Sequence, residues 1–230
     1  MQRERKLAWA NLAISILGLL MVALMLSRPG TTPTPSGNLA AWAIFSILCI
    51  LGGTATLFPR TCSHTTRSPE DLEPSRYTTI AGIRLIHGHH ATCESFSGHE
   101  LELGEKTYCA ACTGLLIGAI IALAVATLGL VYGITLPPIA GYLGLALVLL
   151  GLIYNPLLKI TDPILRTLIN ALFVPGFSLI LVAADGQGNP GLDLLVIALS
   201  VYWMYTRIQL SSLNHDEICD GCEAPCDKKG

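Results

Sequence analysis

Charge is scarce in this sequence. Only 13% of its 230 residues are Asp, Glu, Lys or Arg, about half the share of a soluble globular domain. Hydrophobic residues make up 52%, and they fall in long uncharged runs rather than amphipathic stripes. That combination excludes a disordered chain, a small secreted disulfide scaffold and an ordinary cytosolic enzyme. A basic surplus is missing too, since the formal net charge is -2. A phosphate-binding face leaves a positive excess, so nucleic acid is not the expected partner. Internal repeats are also lacking, which leaves an inverted-repeat transporter without support.

What is abundant is membrane-length apolar sequence. Six runs qualify as spans, 7–26, 40–58, 113–134, 138–158, 164–184 and 191–210. The first four carry no charge, the fifth holds Arg166 near its start, and the sixth holds Asp193 and Arg207 near its two ends. About 20 apolar residues in helical form cross the roughly 30 Å hydrocarbon core. Runs of this length without period-two alternation predict helices and not a barrel. The first run follows the basic start MQRERK. It is too long for a signal-peptide core and no small-x-small cleavage site follows it, so it is expected to be a retained anchor.

Basic residues set the orientation. With the N-terminus inside, the inner side receives Arg3, Arg5, Lys6, Arg60, Arg67, Arg76, Arg84, Lys106, Lys159, Arg166, Arg207, Lys228 and Lys229, and only Arg28 is left outside. This asymmetry predicts a multi-pass protein of the cell membrane, with both termini in the cytosol and an even number of spans. The expected organisation is two helices over 1–58, a Cys/His-rich cytosolic loop over 59–112, four more helices over 113–210 and a Cys-rich cytosolic tail over 211–230. The partner this implies is the lipid bilayer.

The chain has eight cysteines and six histidines. Cys49 lies inside the second span and reads as a small apolar filler. The other seven, Cys62, Cys93, Cys109, Cys112, Cys219, Cys222 and Cys226, fall with all six histidines in the segments placed in the cytosol. In a reducing compartment such clustering points to metal or thiol chemistry rather than to structural disulfides.

Two groups have ligand spacing. The loop offers His89, Cys93, Cys109 and Cys112, and the tail offers His215, Cys219, Cys222 and Cys226. Each is a set of one histidine and three cysteines, which suits tetrahedral zinc, and the short tail could instead complete the loop site. An iron-sulfur cluster is the lesser option because it prefers four cysteines where the tail has three. His87, His90 and His99 read as solvated spare donors, and Cys62-x-His64 is too close in sequence for a ligand knuckle.

CAACTG admits a second chemistry. Cys109 and Cys112 stand just before a helix expected to begin near Thr113, and the positive end of a helix favours thiolate. The pair therefore suits a dithiol-disulfide site as well as a metal knuckle.

The stretch from His89 through Ser95-Phe96 and Gly104 into CAACTG and Gly118 resembles the signature of an uncharacterised prokaryotic membrane-protein family, number 2085 among the domains of unknown function. The CxxCTG core is the specific part. The likeness extends over about 86–181, where Arg166 and Gly176 match an inner-side arginine and a glycine in the span that follows. Two positions depart from the family pattern. The family's Cys before the His falls at Gly88, with Cys93 the nearest thiol, and the family's Arg between the paired cysteines is Ala111. The resemblance implies a membrane protein with a cytosolic Cys/His element and assigns no activity.

The spans themselves read as nearly plain. Asp162 and Arg166, one turn apart at the start of the fifth helix with Pro163 in its first turn, read as a capping acid and a positive anchor rather than a substrate site. Asn155-Pro156 is expected to end or kink the fourth helix at the same face. Asn170 lies one turn beyond Arg166, so Asn155, Asp162, Arg166 and Asn170 form a polar patch level with CAACTG. Gly141, Gly144 and Gly151 read as helix-packing positions. The sequence thus predicts an all-α, polytopic bundle of six transmembrane helices with a cytosolic Cys/His loop and tail. Its expected role is binding or regulation through zinc. The alternatives are a membrane dithiol oxidoreductase using Cys109 and Cys112, and a metal-ion transporter, for which the spans lack evident buried ligands.

Overall fold

The computed structural model describes residues 2–28, 39–58, 73–88, 94–132 and 136–220. Among them are six α-helices, α1 (Gln2–Leu26), α2 (Leu39–Leu57), α3 (Ala110–Tyr132), α4 (Pro138–Ile153), α5 (Pro163–Asp185) and α6 (Pro190–Asp220). All six regions are long and apolar enough to cross a membrane, the fourth by including the turn that follows α4. The molecule is an all-α bundle and a multi-pass membrane protein.

Helix ends follow local chemistry. Asn155-Pro156 does interrupt the fourth helix, because proline removes a backbone donor. The result is a π-helical turn over Tyr154–Leu158, ending on Lys159 with φ 45°. Asp162 caps α5, its Oδ1 accepting the Leu165 N–H at 2.7 Å. The last helix does not stop at the end of its apolar run. It continues through SSLNHDEICD to Asp220, a polar stretch with no Gly or Pro to break it.

α5 is the central helix and is buried on most of its circumference. Glycines let its neighbours approach. A Cβ on Gly118 of α3 would stand 2.8 Å from the Ala171 carbonyl oxygen, and one on Gly144 of α4 would stand 2.6 Å from that of Gly176. Such seams replace the hydrophobic drive that lipid cannot supply. Gly141 and Gly151 serve the same purpose against Ala183 and Phe173. Cys49 is buried in the apolar core, as expected. α1 and α6 are joined by polar contacts, Ser15 to Thr206 at 2.9 Å and Trp203 Nε1 to the Ser15 carbonyl at 3.1 Å.

The Gln187 side chain reaches the carbonyl of Leu26 at 3.5 Å, so the end of α1 lies beside the start of α6. The start of α1 and the end of α6 therefore share one end of the bundle. The starts of α3 and α5 and the end of α4 lie there too.

The same end carries two small β-hairpins that the helical expectation did not include. β1 (Tyr77–Ile80) pairs antiparallel with β2 (Ile83–Ile86), and β3 (Glu100–Leu103) with β4 (Lys106–Cys109). Both turn on two residues. Ala81 and Gly82 have φ of 50° and 80°, and Gly104 has φ 63°, the left-handed values that tight hairpins need. Arg76 ties the hairpins together, its guanidinium meeting the Glu100 carboxylate at 2.5 and 3.3 Å.

Candidate functional site

The two cysteines of CAACTG sit where strand becomes helix. Cys109 is the last residue of β4, and Cys112 lies in the first turn of α3, so the helix begins earlier than expected. The hairpin end fixes Cys109 through its N–H, which donates to the His87 carbonyl at 2.6 Å. Its Sγ accepts the Cys112 N–H at 3.5 Å, the place a capping oxygen takes in other helices. Cys109 is 2% exposed and Cys112 is half-buried; both are free of disulfide.

Gly114 explains what faces them. A Cβ there would stand 2.7 Å from that of Asn170, so only glycine lets α3 lie this close to α5. α5 also carries Arg166, whose guanidinium interacts electrostatically with the Cys109 thiol, less than with Tyr154 and Arg207. The sequence reads Arg166 as a positive-inside anchor and as part of a polar patch. It is 4% exposed, and it donates to His99 Nδ1 at 2.9 Å and to the Ile160 carbonyl at 2.5 Å.

A second arginine completes the centre. Arg207 of α6 is 3% exposed; it donates to Asn170 Oδ1 at 2.8 Å and to the Tyr154 hydroxyl. Asn170 Nδ2 donates to the Tyr154 hydroxyl at 3.0 Å and to the Arg166 carbonyl at 2.7 Å. The Tyr154 ring lies under both cations, 4.7 Å from the Arg207 guanidinium carbon and 5.9 Å from that of Arg166. Such contacts favour a cation without neutralising it. Asn155 is buried, but neither atom of its side-chain amide has a partner among the described residues. Asp162 stands apart as the exposed cap of α5.

The histidines divide differently from the expectation. His99 is buried, not solvated, because Gly98 packs directly on the Thr161 backbone. Its ring also meets those of Phe96 and His215 at 5.6 and 5.3 Å. Since Arg166 can only donate, Nδ1 of His99 must accept, and a neutral ring then keeps its proton on Nε2. That leaves His99 no lone pair for a metal. His87 is structural: it stacks on Tyr108 at 4.4 Å and bonds the Thr107 carbonyl through Nδ1 at 2.8 Å.

Of the expected ligand sets, Cys109 and Cys112 represent the loop, and His215 and Cys219 the tail. His89, Cys93, Cys222 and Cys226 lie outside the described residues, as do Cys62, His64 and His90. Among the described residues no three His, Cys, Asp or Glu side chains are grouped to hold a metal ion. The structure does bring the two regions together, since Phe96 and His99 pack against His215, one turn before Cys219 on α6. Sequence reasoning missed the roles of Tyr154, Arg207 and His99. The available signal was Arg207 itself, a cation at the end of an otherwise apolar run.

Comparison of the chain with protein-family models, with curated proteins and with solved structures gives no match.

Proposed function

We propose that this multi-pass membrane protein carries out thiol-disulfide exchange through Cys109 and Cys112. One observation carries the reading: the Cys109 sulfur accepts a backbone N–H at the start of α3 and interacts electrostatically with the buried Arg166 guanidinium. Both groups favour thiolate at Cys109, the sulfur that closes the disulfide in the second step. Cys112 is the more accessible sulfur and meets the partner. Its thiolate attacks one sulfur of a partner disulfide and the other leaves as thiolate. Cys109 then attacks the mixed disulfide, closing the Cys109–Cys112 bond and releasing the partner's second thiol. The partner gains the two electrons that the pair loses. The positive-inside pattern supports a site at the cytosolic face of the cell membrane, with both termini on that side.

The test is a redox titration of detergent-purified protein in glutathione buffers, read by mass shift after alkylation. A reversible disulfide between these two residues is expected, lost in Cys112→Ser. Failure to form it at any glutathione ratio refutes the reading.

A second reading is favoured by the packing of the loop on α6. Zinc would be held by Cys109 and Cys112 with further ligands from the loop or the tail, in a binding or regulatory role, and such ligation would use the same thiolates. Elemental analysis separates the two: about one zinc per chain, lost in the Cys109→Ser, Cys112→Ser protein, supports the metal reading, and a metal-free wild type removes it. The likeness to family 2085 of the domains of unknown function rests on the CxxCTG residues and fits either reading.

A further inference from the structure

We infer that Arg166 and Arg207 form a binding site for a phosphate-type oxyanion; it shares Arg166 with the thiol pair, but neither the site nor its test requires the cysteines to exchange disulfides. Two like charges are buried at one place, each against the same tyrosine ring at 4.7 and 5.9 Å. No carboxylate among the described residues pairs with either of them. Their hydrogen-bond partners are neutral: Asn170, Tyr154, His99 and the Ile160 carbonyl. Neutral acceptors satisfy N–H groups but leave the net charge in a low-dielectric site, where an unpaired ion is strongly disfavoured.

The remaining donors point the same way. Nε of Arg166 and Nε of Arg207 are both buried without a partner, and so is the side-chain amide of Asn155 next to Tyr154. Guanidinium groups with unused N–H donors match the geometry of phosphate oxygens. Among the described residues the anion-forming groups that act on Arg166 are the Tyr154 phenol and, more weakly, the Cys109 thiol. Even as thiolate, Cys109 compensates a single charge and leaves that of Arg207. Ionisable groups inside a membrane bundle normally face a partner or a pathway; here the partner must come from outside the described residues.

Phosphate can arrive as a lipid headgroup or as a free ion, and the experiment separates these sources. The full chain is purified in neutral detergent, and its melting temperature is followed with inorganic phosphate against chloride at constant ionic strength. A parallel series places it in nanodiscs of phosphatidylglycerol or of phosphatidylcholine. A saturable rise with inorganic phosphate, weakened about tenfold in apparent affinity by Arg207→Gln, supports a soluble anion. A rise only in phosphatidylglycerol, lost in Arg207→Gln, supports a lipid headgroup. No rise in either series overturns the proposal, as does a rise that Arg166→Gln and Arg207→Gln leave unchanged. If the glutamine variants do not fold, Arg207→Lys keeps the charge without the planar fork and must weaken the response; an undiminished response overturns the proposal.

Discussion

Two helices of this bundle begin alike and treat their first turn in opposite ways. α5 and α6 each start at a proline, Pro163 and Pro190, and each places a buried charged residue in the fourth position. In α6 that residue is Asp193, and in α5 it is Arg166. A helix N-terminus carries partial positive charge, so Asp193 stands where its own helix favours it. Arg166 stands where its helix opposes it. The difference teaches that burying a charge here has two meanings. Asp193 carries the sign of charge that the start of its own helix favours. Arg166 is held against its helix by His99 and the Ile160 carbonyl, with Cys109 and a second arginine nearby.

The largest way to break the comparison is to remove the approach that creates it. Gly114→Leu would force α3 away from Thr167 and Asn170 and is expected to cost about 3 kcal/mol of stability, read as a lowered melting temperature together with loss of the Cys109–Cys112 couple. Next comes Arg166→Gln, which removes the cation. The pair is then expected to close more readily, by about tenfold in the glutathione equilibrium or roughly 30 mV, without a drop in melting temperature. A fall in stability with an unmoved redox equilibrium would return Arg166 to a structural role.

Two smaller tests sharpen the structural half. Asp162→Ala removes the bond to the Leu165 N–H and is expected to cost about 1 kcal/mol, with the redox equilibrium unmoved. Asp193→Asn keeps the shape and loses the charge favoured by the start of α6. It is expected to cost about 0.5 kcal/mol, measured as a small shift in chemical or thermal denaturation. A gain in stability from Asp193→Asn would mean that helix α6 does not account for its carboxylate.

The six helices were legible because lipid demands long uncharged runs, and nothing else in the sequence mimics them. The Asp162 cap and the break at Asn155-Pro156 were legible because they depend on neighbours in the chain. The hairpins left a fainter trace, Ala81-Gly82 and Gly104-Glu105 between short runs of strand-forming residues, easily lost inside a loop rich in Cys and His. Arg207 was visible as a basic residue but served only to orient the chain. Its burial depends on Tyr154 and Asn170, which lie far from it in sequence, and no local pattern announces that meeting. His99 escaped for the same reason. Its position follows from Gly98 lying on the backbone of Thr161, a contact between segments that sequence order keeps far apart.

The length of α6 has a mechanical side. Its 31 residues make a rod of about 46 Å, well over the roughly 30 Å of hydrocarbon it must cross. Arg207 is fixed partway along that rod, while His215 and Cys219 ride on the arm that projects beyond the apolar run. One unbroken helix thus joins the contact of His215 with Phe96 and His99 to the contact of Arg207 with Tyr154 and Asn170.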